Sequence, residues 1–501
     1  MNSTLQTIKP ELLTFTSEQM RMILPLLVVF GGGVLAIIAS VMKANKWPVY
    51  IITLLTAIAG IYFSFDLLHA GDNMVLFNQM LVSDTYSNFF NILFLASAGF
   101  TAMASFRYLD REKLQHPEYY VLMLFSALGM MLMASAIDTI VIFISLEVMS
   151  LAVYVLVGFR RTDRRSNEAA MKYFILGSAA SAILLYGAAL LYGTVGSTGI
   201  RPILTYLQSH PQGVTPVFTL GVWMVTVGFL FKVAAVPFHM WMPDVYEGAP
   251  TPVTGFMTTG LKAAAFASFL RVFIAMGYGK GLSDLIQGHL HDIIWLCAVL
   301  TMIVGNVVAL TQTNLKRMLA FSSIAHTGYL LVGILAGSHS DQGYAPVVMY
   351  LVAYATMNLG AFVVLTLMSG RDDSGLNLHD MSGLSQRHPW LAFSMAVFMF
   401  SMAGIPPTAG FAAKYMLFYS AIQAHEIPLV VISVLCSAVS VYYYLRVLVY
   451  MYMREPAGSP AASRASAWST LAVAVMVALT LQIGVLPARM VAVAKKAVTS
   501  L

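Results

Sequence analysis

The chain has 501 residues, 59% of them hydrophobic and only 10% charged, and its mean hydropathy is +0.78. This composition excludes a soluble globular protein and a disordered one. The net charge of +6 does not indicate nucleic-acid binding, because the cations concentrate in alternate loops between apolar segments. Cys297 and Cys436 both lie in apolar segments, which indicates buried thiols and neither a disulfide framework nor a metal site.

The apolar segments are long enough to cross a bilayer, since a spanning helix needs about 20 residues. They lack the alternating pattern of β-barrel strands, so we predict an all-α polytopic membrane protein with about fourteen transmembrane helices. The predicted spans are 21–42, 48–68, 85–106, 119–137, 139–159, 168–193, 217–240, 253–277, 291–311, 318–337, 345–369, 390–423, 428–453 and 467–487.

Lysines and arginines cluster in the loops that follow odd-numbered spans. The loop after the fifth span alone holds Arg160, Arg161, Arg164 and Arg165, whereas the loops after even-numbered spans hold few cations and several acids. The positive-inside rule places the cation-rich loops in the cytoplasm. Both termini are therefore predicted to lie outside the cytoplasm.

Glu147 lies near the middle of the fifth predicted span, too deep to reach the interface. An ionisable side chain at that depth costs roughly 2.5–3.5 kcal/mol, which favours a functional role. The alternative is a protonated glutamic acid that is hydrogen-bonded to a neighbouring helix. Lys172 lies in the first turns of the sixth span, so it is expected to reach the interface; as a weaker relay candidate it could also tune Glu147.

Lys232, Lys262 and Lys414 are equally deep in the seventh, eighth and twelfth spans. Three such lysines face one acid, so at least two are expected to lack a permanent carboxylate partner. Burial disfavours the charged form of a lysine and a nearby carboxylate favours it, so the distance from Glu147 to Lys232 would act as a switch. The alternative for each lysine is an ion pair that only locks helices together.

Prolines interrupt two of the spans, Pro237 in the seventh and the Pro406-Pro407 pair in the twelfth. Each proline frees a backbone carbonyl four residues earlier, and unpaired backbone at membrane depth survives only where protein or water satisfies it. We therefore predict discontinuous helices 7 and 12, each bordering a hydrated cavity. The freed carbonyls are those of Val233, Met402 and Ala403.

Two histidines are further relay candidates. His239 follows Lys232 by seven residues and shares its helix face if Pro237 does not rotate the helix; a packed, hydrogen-bonded histidine is the equal alternative. His326 lies in the tenth span, in the string Ser322-Ser323-Ile-Ala-His326.

Two short strings recur at long range and predict an internal repeat. Tyr154–Gly158 matches Tyr329–Gly333, and Gly228-Phe229-x-x-Lys232 matches Gly410-Phe411-x-x-Lys414. The copies are five spans apart, an odd number, which predicts two inverted five-helix repeats as in many transporters. One detail disagrees: when the lysine strings are superposed, the prolines do not coincide. The predicted divisions are 1–118, 119–280 (first repeat), 290–455 (second repeat) and 456–501.

The segment from Leu230 to Asp244, followed by Gly248–Val253 and Lys262, resembles the signature of the proton-conducting antiporter-like superfamily. That superfamily includes respiratory complex I and the multisubunit cation/proton antiporters. The segment 315–326 is similar to its tenth-helix motif. Within the superfamily, 128–135, 146–154 and 158–174 look like the N-type subunit of bacterial proton-translocating NADH–quinone oxidoreductase.

Lysine at position 414 agrees with the N type, because the M type usually has glutamate there. The L type is disfavoured, because no long lateral helix follows the fourteenth predicted span. The resemblance implies that Glu147, Lys232, Lys262 and Lys414 transfer protons in that order. A histidine at position 326, where many relatives have lysine, departs from the pattern.

The resemblance further implies a membrane-arm subunit of the bacterial inner membrane that carries protons while partner subunits reduce quinone. Redox chemistry, cofactors and metals are not expected in this chain; NADH, FMN, iron–sulfur clusters and quinone are implied in the partners. The implied partners are antiporter-like paralogues, small membrane subunits and the lipid bilayer. The alternatives are a subunit of a standalone cation/proton antiporter and a passive scaffold of the membrane arm.

Overall fold

The computed structural model describes residues 16–42, 46–210, 213–275, 284–456 and 466–501. Within them the chain is helical apart from short turns and one antiparallel ribbon, in which β1 (Met74–Leu76) pairs with β2 (Leu81–Ser83). The helices are α1 Ser17–Met42, α2 Lys46–Ala70, α3 Thr85–Arg111, α4 Glu118–Ser135, α5 Thr139–Val157, α6 Arg164–Val195, α7 Ile200–Ser209, α8 Pro216–Lys232, α9 Trp241–Gly248, α10 Thr251–Phe256, α11 Lys262–Ala275, α12 Asp284–Thr311, α13 Leu315–Gly337, α14 Ala345–Met368, α15 Leu384–Arg387, α16 Pro389–Ala403, α17 Ala409–Gln423, α18 Ile427–Met453, α19 Ala467–Val485 and α20 Pro487–Val498.

The chain is an all-α polytopic membrane protein, as predicted. In the described residues 12 helical segments are long and apolar enough to cross a bilayer, one of them formed by α10, a π-helical turn and α11. The other two predicted spans coincide with interrupted helices: 217–240 with α8 and the segment after it, and 390–423 with α16 and α17. The total of fourteen crossings stays a prediction.

Polar side chains cap the amino-terminal ends of three helices that are buried in the bundle. Asp84, Asp138 and Asn314 accept hydrogen bonds from backbone amides in the first turns of α3, α5 and α13, at 2.7, 2.9 and 3.2 Å. Such caps matter more here than in water, because an unsatisfied amide in an apolar surrounding costs several kcal/mol.

Two close helix contacts recur along the chain. A side chain at Gly129 on α4 would lie 2.5 Å from the backbone nitrogen of Met149 on α5, and one at Gly305 on α12 would lie 2.5 Å from the nitrogen of Ala325 on α13. Gly129 and Gly305 are 176 positions apart in the sequence, and so are Met149 and Ala325. The two tyrosine strings are 175 positions apart. This recurrence supports the predicted repeat, which itself stays a prediction.

The two lysine strings lie differently with respect to helix breaks. Both α8 and α16 begin at a proline and end just before a break, at 233–240 and 404–408. Lys232 is the last residue before the first break, whereas Lys414 lies on α17 after the second. The two Gly-Phe-x-x-Lys strings thus lie on opposite sides of their breaks, and their equivalence in a repeat stays a prediction.

A buried ionic cluster ties several segments together at one end of the bundle. Asp373, in the segment after α14, accepts from Arg160 at 3.1 Å and from Lys316 at 3.2 Å, and also from the Thr251 amide at 3.2 Å. Arg160 contacts Glu112 as well, at 3.3 Å. Burial alone would raise the pKa of Asp373, but Lys316 and Arg160 hold it below its ordinary value.

Replacing Asp373 with asparagine is expected to destabilise the fold by about 3–5 kcal/mol, because two buried cations lose a charged partner. The lowered pKa means that the carboxylate stabilises the fold above its ordinary pKa of about 4, and that this contribution is lost as the pH falls through the lowered value. The measurement is the dissociation temperature of the purified complex. Asp292→Asn is the control, since Asp292 is exposed; equal dissociation temperatures would contradict the role of the cluster.

Candidate functional site

Lys232 ends α8 inside the bundle and is only 8% exposed. Its Nζ donates a hydrogen bond to Ser150 Oγ on α5 at 2.6 Å and lies 5.7 Å from the centre of the Tyr173 ring.

Glu147 lies on α5, one turn before Ser150, and is half-buried. Its Oε1 atom is buried and has no hydrogen-bond partner in the described part of the chain. No ion pair there joins Glu147 to Lys232, whose Nζ is hydrogen-bonded to Ser150, and the coupling between the two charges stays a prediction. The adjoining face of α5 is apolar and about half exposed, which places Glu147 at the edge of the bundle; this face carries Ile144, Leu151 and Val155.

Lys262 follows a π-helical turn, Met257–Leu261, and is 3% exposed. Its Nζ donates to the backbone oxygen and to Oγ of Ser323 on α13, at 2.5 and 2.6 Å, and lies 5.1 Å from the centre of the Tyr354 ring. Single π-helical turns inside α-helices frequently mark functional positions. Sequence reasoning found Lys262 but neither the π turn nor the serine.

Lys232 and Lys262 border the same small cavity, whose volume of about 10 Å³ is at the limit for a single water molecule. Tyr173, Trp241 and Tyr246 also line it. The fold thus brings together two lysines that are thirty residues apart in the sequence and lie on different helices.

His326 lies on α13, one turn beyond Ser323, with both ring nitrogens in hydrogen-bonding contact. Nδ1 is 2.6 Å from the hydroxyl of Tyr350 and Nε2 is 3.2 Å from the hydroxyl of Tyr444. Tyr444 also contacts Ser322. Tyrosine and serine hydroxyls can donate or accept, so either tautomer of the ring fits this network.

Lys414 on α17 is 5% exposed and makes three hydrogen bonds. Its Nζ donates to the carbonyls of Met402 and Ala403, at 3.0 and 3.3 Å, and to Ser437 Oγ at 2.9 Å. It also lies 5.3 Å from the centre of the Tyr329 ring, which is one turn beyond His326 on α13.

The carbonyls predicted to be freed by the prolines therefore have protein donors. Lys414 serves Met402 and Ala403 at the second break, and Thr327 Oγ1 donates to Val233 at the first break, at 2.8 Å. Side chains from α13 and α17 thus satisfy these carbonyls, and the hydrated cavities at the breaks stay a prediction.

Each of the three buried lysines pairs with one serine hydroxyl from another helix: Ser150, Ser323 or Ser437. No ion pair in the described ranges includes any of these lysines. A serine hydroxyl accepts a hydrogen bond from an ammonium and donates one to a neutral amine, so each site accommodates both protonation states. Serines within apolar helices were the available sequence signal for these partners.

The two weaker candidates are placed elsewhere. His239 lies in the break after α8, so the shared helix face expected with Lys232 does not exist. Lys172 is 42% exposed and pairs with Glu168 and Asp244, both at 2.8 Å, at a polar pocket. These partners, and not Glu147, account for its position.

Arg271 near the end of α11 is a buried charge that sequence reasoning missed. It forms a bidentate pair with Asp84 at 2.8 and 2.9 Å and donates to the Ala134 carbonyl at 2.9 Å. A cation so fully paired is a static lock between α3, α4 and α11. In the part of the chain that the structure describes, no group of three or more His, Cys, Asp and Glu side chains could hold a metal.

Residues 136–440 match the family described as NADH:quinone oxidoreductase/Mrp antiporter. NADH-quinone oxidoreductase subunit N of Trichlorobacter lovleyi is 42% identical, over 97% of this chain and 98% of that protein. Subunit N 2 of Rhizobium meliloti is 43% identical, over 86% of this chain and 88% of that protein.

Chains in two solved structures share the fold of this protein. A chain of respiratory complex I from Thermus thermophilus is 33% identical and superposes with a TM-score of 0.79, covering 93% of this chain and 98% of that chain. A chain of the Mrp complex from Dietzia sp. superposes at 0.83 over 97% and 98%; at 18% identity it bears on the fold alone.

Proposed function

Because the chain belongs to the NADH:quinone oxidoreductase/Mrp antiporter family and is similar over its length to N subunits, we propose that it carries protons along Glu147, Lys232, Lys262 and Lys414. The chain is a proton-translocating membrane subunit that works beside other membrane-arm subunits. The observation that supports the route best is the set of three buried lysines, each held by a neutral serine.

The first steps run across the first half of the bundle. Glu147 receives the driving signal at the edge of the bundle, where the exposed apolar face of α5 can contact a neighbouring subunit while the unpaired Oε1 stays buried. When the carboxylate is drawn away, Lys232 releases its proton into the cavity shared with Lys262. Lys262 accepts it and becomes an ammonium held by Ser323.

The later steps run along α13, which carries Ser323, His326 and Tyr329 at successive turns. Lys262 contacts the first of these residues and Lys414 lies against the last, with His326 between them. The hydroxyl of Tyr444 links Ser322 to His326. From Lys414 the proton leaves the chain or charges the neighbouring subunit.

The free energy needed is modest. Moving one proton against 100 mV takes about 2.3 kcal/mol. A hydrogen bond to a charged group contributes about 1.5–3 kcal/mol, so exchanging one partner of Lys232 changes the free energy by an amount of the same size.

The electron transfer belongs to partner subunits in this proposal. NADH, FMN, iron–sulfur clusters and quinone bind there, and this chain couples to them without redox chemistry of its own. The chain is a multi-pass protein of the inner membrane. We further propose that both termini lie on the outer side and that the chain divides at 1–118, 119–280, 290–455 and 456–501; residues 1–15 and the boundary at 280 lie outside the described residues.

Substitutions at His326 test the later steps. His326→Leu is expected to lower proton translocation at least about tenfold, a barrier increase of about 1.4 kcal/mol, because the imidazole that links Lys262 to Lys414 is then lost. His326→Lys is expected to keep most of the activity. Proton uptake by vesicles containing the complex measures both, and equal activity of the leucine variant and the unaltered complex would remove His326 from the route.

A further inference from the structure

An apolar crevice lies on the side of the bundle between α2, α3, α14, α19 and α20, away from the lysine route. Its volume is about 330 Å³, at the lower end of the size range of ligand pockets. Phe65 at its rim is 52% exposed and Val493 is 39% exposed, so the crevice opens laterally. The residues that define its length and walls are Phe89, Leu93, Phe100, Leu359, Met476 and Val493.

The crevice has the length of one lipid leaflet. It runs along α3 from Phe89 to Phe100, about 16 Å at 1.5 Å per residue. The hydrocarbon core of a bilayer is about 30 Å thick, so half of it is about 15 Å. The Phe89 end of the crevice lies one turn after the start of α3 at Thr85.

Basic side chains lie beside the crevice on α2 and α20. His69 lines the crevice, and Lys496 donates from Nζ to the carbonyl of Leu68 beside it, at 3.1 Å. Arg489 and Lys496 share a face of α20 with Val493, by their spacing of four and three residues.

These cations lack carboxylate partners within the described residues. The nearest acids along α2 and the segment after it, Asp66 and Asp72, pair with Arg21 instead, at 3.0 and 3.4 Å. The three side chains His69, Arg489 and Lys496 are exposed and available to an anion.

We propose that this crevice binds an anionic phospholipid, with one acyl chain along α3 and the phosphate against Arg489, Lys496 and His69. An acyl chain gains little on leaving other apolar chains, so the crevice shape positions the lipid and the cations select it. A neighbouring apolar helix would fill the crevice but would not explain the cations beside it.

The test uses the purified complex in vesicles that contain phosphatidylglycerol or phosphatidylcholine with a photoreactive group on the acyl chain. Mass spectrometry of the labelled peptides is expected to find phosphatidylglycerol on the α3 segment from Phe89 to Phe100, well above phosphatidylcholine. Arg489→Gln and Lys496→Gln are each expected to lower this labelling about fivefold, equivalent to about 1 kcal/mol per charge.

Filling the crevice provides a second arm. Ala96→Phe, in the crevice wall, is expected to abolish the labelling, whereas Ala182→Phe on the exposed face of α6 should not. Equal labelling by the two lipids, labelling unaffected by the charge substitutions, or crosslinking of the α3 segment to another subunit in place of lipid would each overturn the proposal. The charge variants keep the test decisive even if Ala96→Phe fails to assemble.

Discussion

Replacing Lys262 with methionine is expected to lower proton translocation through this chain at least about tenfold, a barrier increase of about 1.4 kcal/mol or more. The side chain is 3% exposed, and its Nζ contacts Ser323 on α13 and borders the cavity shared with Lys232. Methionine keeps an unbranched stem of similar length, so the packing is preserved while the titratable group is lost. Proton uptake by vesicles driven by quinone reduction measures the effect.

Two further variants separate transfer from assembly. Lys113→Met, at an exposed lysine, is the matched control and should leave uptake unchanged. Ser323→Ala should reduce uptake, and Ser323→Thr should restore it, because threonine keeps the hydroxyl. If a fully assembled Lys262→Met complex pumps normally, the chain acts as a passive scaffold.

Replacing Glu147 with glutamine is expected to lower proton translocation by a similar factor, about tenfold or more. Glutamine has nearly the same shape but cannot ionise, so the charge that drives Lys232 is lost. The substitution should not disturb the packing around this atom, because Oε1 is buried without a hydrogen-bond partner in the described residues. The glutamine amide therefore breaks no hydrogen bond of Oε1. A loss of activity would therefore report the charge and not the fold.

The control for Glu147 is Glu118→Gln, an exposed carboxylate in the first turn of α4. Uptake and subunit composition are compared in the same preparations. A Glu147→Gln complex that is complete and translocates protons at the normal rate would sink the role proposed for this residue, while the three lysines would stand as a separate hypothesis.

Three buried or interrupted positions, Lys262, His239 and Arg271, differ in how far the sequence alone predicts their surroundings. Lys262 stood out because a charge within a long apolar segment has few structural uses, and the fold buries it as predicted. The helix face that His239 was expected to share with Lys232 requires the helix to continue past Lys232. The helix ends at that residue, so the two side chains share no face. Arg271 went unnoticed near the end of its segment, although it is as buried as the lysines.

The amino-acid sequence alone determined the membrane-spanning helices, the places where two of them break, and the four charges that lie deep within them. These features follow from local properties: segment length, hydropathy and the missing amide of proline. Only the tertiary structure decided the partners. Ser150 and not Glu147 contacts Lys232, and Lys414 contacts the carbonyls of the second break, because such contacts join residues on different helices whose packing no local pattern encodes.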